Sequence, residues 1–67
     1  MRTISEDERH FHGTHKGATL EIELDDDERW YIIVRWKDGG YLYDGWAPSS
    51  VTTLKEAKAE AVRGARL

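Results

Sequence analysis

The chain has 67 residues, no cysteine and a formal charge of −3 from 13 acidic and 10 basic residues. A chain this short forms one small domain at most and buries only about 60% of the surface its unfolded form exposes, so every large apolar side chain counts. The lack of cysteine excludes a disulfide framework, a thiolate nucleophile and a cysteine-based zinc site, and no apolar run approaches the roughly 20 residues that span a bilayer. Met1–Arg9 is too charged for a signal peptide, and together these features predict a soluble cytoplasmic protein that does not contact a membrane.

Residues 1–17 show no sustained period. Ser5-Glu6-Asp7-Glu8 fits a capping box that can start a single helical turn. Gly13 and Gly17 interrupt any continuation, and only Ile4 and Phe11 offer apolar anchors. The expectation is an N-terminal arm, either flexible or one helical turn, preceding a β-β-β-α domain at 18–67. Within the arm, His10-x-His12-x-x-His15 sets two imidazoles on one side of an extended segment. Three local histidines without a scaffold read as a polar arm rather than a metal site, and no cofactor is expected.

From Ala18 the pattern sharpens. Leu20, Ile22 and Leu24 alternate with Thr19, Glu21 and Glu23, which predicts a half-buried strand at about 18–24. Asp25–Glu28 is an acidic connection too polar to bury. Residues 29–36 are β-branched and aromatic, and predict a central strand. Lys37-Asp38-Gly39-Gly40 supplies residues that tolerate positive φ, so the chain reverses into a third strand at about 40–46. Pro48 ends the ladder. Thr53-x-x-Glu56 is a second capping box, opening a helix at about 54–66. The predicted fold class is α+β: a three-stranded antiparallel meander packed on one C-terminal helix.

Spacing divides these elements into faces. Leu54, Ala57, Ala61, Val62 and Ala65 form a stripe of mostly small side chains, which lets the helix approach a sheet face carrying bulk. Trp30, Ile32, Val34 and Trp36 share one face of the central strand and match that stripe, which places the tryptophans mainly in the core. Arg29, Tyr31, Ile33 and Arg35 then lie on an uncovered face, with Tyr41 or Tyr43 beside them. Charge is also divided. Eleven of the 13 acids precede Thr53, whereas four of the 10 basic residues follow it.

No motif calls for catalysis. Asp25-Asp26-Asp27-Glu28 reads as a solvated tip, Ser49, Ser50, Thr52 and Thr53 occupy loop and cap positions, and no glycine-rich phosphate loop precedes the helix. The expected function is non-enzymatic binding of a protein partner. Its candidate surface is Tyr31, Ile33, Arg29, Arg35, Tyr41 and Tyr43 with the acids Asp25, Asp26 and Asp27. Aromatic residues and arginine are enriched in interfaces, and an acidic rim suits a basic groove of the kind that small phage and mobile-element inhibitors occupy.

An early Trp30 in the second strand, Gly45 as the glycine that follows the third and Thr53-x-x-Glu56-Ala57 opening the helix resemble the three-strand-plus-helix domain of AP2-type plant factors and of tyrosine-recombinase arm-binding N-termini. The likeness spans about 18–66. It implies a sheet laid in the DNA major groove. The alternative function is therefore nucleic-acid binding through Arg29, Arg35 and Lys37, with Tyr31 and Tyr43 beside them. Glu21, Glu23 and Asp44 depart from that pattern, because carboxylates repel phosphate. Exposed outer strands leave either a monomer or an edge-strand dimer as the expected state.

Overall fold

A computed structural model describes every residue from Met1 to Leu67, and its antiparallel sheet has five strands rather than three. They are β1 (Arg2–Asp7), β2 (His10–His15), β3 (Ala18–Leu24), β4 (Trp30–Arg35) and β5 (Tyr41–Trp46), followed by helix α1 (Leu54–Gly64). The strands lie in sequence order, each hydrogen-bonded to the next. The expected three-stranded meander is thus part of a larger one, and the expected arm is its first hairpin. No helix is long and apolar enough to cross a membrane.

The physical reason for this correction lies in what β1 and β2 bury. Every β1 residue is exposed, and the inward positions of β2 include only one large apolar group, Phe11. A period-2 hydrophobic signal cannot arise from one residue. Gly13 is the other buried inward residue of β2, and it is needed there. A Cβ at this position would collide with the Phe11 ring and with the Arg2 carbonyl. The glycine that looks like an interruption is the floor on which Phe11 lies.

Local turn chemistry then closes the hairpins. Lys16 and Gly17 both have positive φ, 52° and 88°, and link His15 to its partner Ala18 in a two-residue turn. Positive φ at both central positions matches the twist of the flanking strands. Ser5 pairs with His12 rather than capping a helix. Asp7 instead accepts a hydrogen bond from the Arg9 amide at 2.8 Å, which holds the β1–β2 turn. Arg9 donates in turn to the Leu24 and Asp25 carbonyls at 3.3 and 3.0 Å, tying that turn to the next one.

One face of the sheet is covered. Phe11, Leu20, Ile22, Ile32 and Val34 are fully buried, Trp30 is nearly so, and they pack on Ala57, Ala61 and Ala65. Leu54 and Val62 flank this stripe as partly buried neighbours. Lys58 extends the cover to β2 and β1. Its ammonium pairs with Glu6 and lies 4.5 Å from the Phe11 ring centroid.

The helix start follows its sequence signal closely. Thr53 Oγ1 accepts from the Glu56 amide, and Glu56 Oε1 accepts from the Thr53 amide, each at 3.1 Å. At the other end, Leu67 donates to the Val62 carbonyl and Arg66 to that of Arg63, with Arg66 at φ 59°. This is the Schellman arrangement with arginine in the place glycine usually takes. It stops the helix at Gly64, two residues before the expected end.

Gly64 has a packing role of its own. A Cβ there would strike the Tyr43 ring, whose hydroxyl donates to Glu60 at 2.8 Å. Alanine normally gains about 1 kcal/mol over glycine in a helix, but overpacking costs about 1–3 kcal/mol. Gly64→Ala is therefore expected to lower the thermal midpoint. A rise would show that Tyr43 moves aside at no cost.

Candidate functional site

The face opposite the helix is open, and the register sets two rows of side chains across it. One runs Asp7, His10, Glu23, Tyr31, Trp46, and the other Ser5, His12, Glu21, Ile33, Asp44. Directly opposed side chains in such rows sit about 4.5–5.5 Å apart at Cβ. Glu21 and Glu23 therefore flank Ile33 and Tyr31.

Aromatic contacts shape the centre. The Tyr31 and Trp46 rings are 4.9 Å apart and nearly perpendicular. The Tyr31 hydroxyl donates to Asp44 at 2.7 Å. That hydrogen bond, with lesser contributions from desolvation and the Asp44 charge, holds the Tyr31 phenol above its usual pKa. Together Tyr31, Ile33, Trp46 and Leu24 line a groove of about 290 Å³, rimmed by Glu21, Glu23 and Asp25. The ion pairs of the protein are Arg9–Asp26, Lys58–Glu6 and Arg63–Glu60, so Glu21, Glu23 and Asp44 have no cationic partner.

The structure redistributes the residues predicted for this surface. Tyr31 and Ile33 stand at its centre, with Arg29 above the Trp46 ring at 4.7 Å and Arg35 above Tyr41 at 5.2 Å. Lys37 lies 5.2 Å from the ring centroid of Trp36. Tyr43 is not on this face. It pairs with Val34 and turns under the helix to Glu60. Asp25 is a turn organiser, its Oδ1 accepting from the amides of Asp27 and Arg29 at 2.9 and 2.8 Å. Asp26 points into solvent with Arg9 at 3.8 Å, and exposed Asp27 lies outside the groove.

Trp46 is the site residue that sequence reasoning left out. It is 45% exposed on the open face. The available signal is parity: Gly45 pairs with buried Ile32, so its neighbours Asp44 and Trp46 take the open side. His10 and His12 also face this side, whereas His15 has the parity of Phe11. No three His, Asp or Glu side chains converge as a metal-holding group.

A second cleft, about 410 Å³, lies where the β3–β4 turn meets the loop before α1. Leu24, Trp30, Ala47 and Val51 give it apolar walls, and the Trp30 indole N–H is buried without a partner.

No protein family, curated protein or solved structure matches the chain.

Tyr43 provides a pH signature of the helix contact. Burial first, then the hydrogen bond to Glu60 and its charge, push the phenol up to about 12. A folded pKa above the unfolded value of about 10 gives stability that is complete below pH 10 and lost as pH rises through the folded value. Wild-type stability is thus expected to fall between about pH 10 and 12 in circular-dichroism melts, and Tyr43→Phe to flatten that fall. An unchanged alkaline loss in the variant would assign it to other groups.

Proposed function

We propose that this protein is a non-enzymatic binding module that docks a protein partner through the open face of its sheet. The observation that carries this reading is the groove over Tyr31, Ile33 and Trp46, apolar at its base and bordered by carboxylates with no cation of their own. An exposed apolar surface rimmed by polar groups is the pattern that interaction sites share. Such a surface complements a partner that is basic at its contact region, where charge guides encounter and orientation. A groove that otherwise holds nucleic acid has that chemistry, so competition with nucleic acid is a natural consequence.

Direct nucleic-acid binding is less well supported. Arg29 and Arg35 stack on aromatic rings of the same face, but Glu21, Glu23 and Asp44 stand among them. Phosphate contacts come from lysine and arginine and strengthen as salt falls.

Affinity capture from the native host, with wild type and Tyr31→Ala side by side, tests the proposal. A partner retained by wild type and lost by Tyr31→Ala is the expected outcome. Equal retention by both places the interface elsewhere, and capture of nucleic acid alone at low salt favours the other reading.

A further inference from the structure

From the groove's chemistry, we infer that its occupant is an arginine side chain presented by the partner, with its guanidinium against the Tyr31–Trp46 aromatic pair and beside Glu21 and Glu23. This inference rests on the open sheet face being the docking surface. Three features of the groove select the occupant.

Size is the first. At about 290 Å³ the groove lies at the lower end of ligand-pocket volumes, suiting one side chain better than a larger molecule. Charge is the second. Glu21 and Glu23 are two residues apart on β3, so both point to the same side and neither has a cationic partner. An incoming cation therefore meets two carboxylates at once. With Ile33 as the apolar base and Tyr31 and Trp46 beside it, the site favours a cation that is planar and weakly hydrated over a compact ammonium.

The protein supplies the third feature from its own residues. On the same face, Arg29 lies 4.7 Å from the Trp46 ring centroid and Arg35 lies 5.2 Å from that of Tyr41. Guanidinium over an exposed aromatic ring is thus the contact this surface already makes with itself. Cations over aromatic faces within about 6 Å are attracted by the ring quadrupole. The Glu21–Glu23 side of the groove shares the Trp46 ring and adds that of Tyr31, but has no arginine of its own.

The test uses the intact, isotopically labelled protein and three small probes: N-acetyl-arginine amide, its lysine counterpart and its citrulline counterpart, which keeps the planar shape but carries no charge. The arginine probe is expected to shift the Trp46 indole signal and the amide signals of Glu21, Glu23, Tyr31 and Ile33 in a saturable way. The lysine probe is expected to bind several-fold more weakly, and citrulline not measurably. In Glu21→Gln/Glu23→Gln, a change on the exposed rim, the arginine response is expected to fall at least threefold with the remaining spectrum unchanged. Shifts from citrulline equal to those from arginine, shifts clustered elsewhere, or no arginine response would each overturn the inference. If arginine fails while partner capture still depends on Tyr31, the docking surface stands and only its occupant is wrong.

Discussion

Phe11→Ala is expected to lower the unfolding midpoint sharply, because the residue that sequence places in an arm is fully buried beneath Lys58 and over Gly13. Truncating a buried phenylalanine costs about 3–5 kcal/mol. A 67-residue chain at roughly 0.05–0.15 kcal/mol per residue has only about 3–10 kcal/mol in total. The substitution therefore removes roughly 30% of the stability at the upper end of that range, and all of it at the lower end. Equilibrium denaturation in urea, followed by circular dichroism, reads this directly. A midpoint within error of wild type would mean that β2 does not share the core.

The effect on the first hairpin should be sharper than on the rest. β1 buries no side chain and is held by its ladder to β2 and by the Glu6–Lys58 pair. Without Phe11, β2 loses its one large inward group, so β1 loses the support of its only neighbour in the sheet.

Reversing charge on the open face is the second large effect. In Glu21→Lys/Glu23→Lys, two carboxylates beside Tyr31 and Ile33 become cations facing the proposed basic partner. Like-charge juxtaposition at an interface costs several kcal/mol, and each 1.4 kcal/mol is tenfold in affinity. Partner binding is expected to weaken at least a hundredfold while the fold persists, since both residues are exposed. Stronger binding would reverse the assigned charge preference and favour an acidic partner such as nucleic acid. A folded variant that binds as wild type would show that the groove is not the contact.

Much of this molecule is legible in its sequence, and the reasons differ by element. β3 and β4 carry alternating or continuous apolar residues, α1 carries a capping box and an alanine stripe, and both signals report directly on burial. β1 and β2 are invisible to that reasoning because their contribution is backbone pairing, one phenylalanine and one glycine. A lysine-glycine turn is also a weaker hairpin cue than asparagine-glycine. The same gap affects the site. Tyr31 and Ile33 follow from strand parity alone, whereas the exposure of Trp46 and the turning of Tyr43 toward Glu60 depend on pairing across β4 and β5. His10 and His12, read as part of an arm, lie beside Glu23 and Glu21 because β2 pairs with β3.

The open sheet face as the contact surface is tested most directly by amide chemical-shift mapping of the labelled protein titrated with the captured partner. The perturbed signals are expected to cluster at Glu21, Glu23, Tyr31, Ile33, Asp44 and Trp46. Perturbations confined to the outer helix surface at Lys55, Ala59 and Arg63, with those six unchanged, would contradict it.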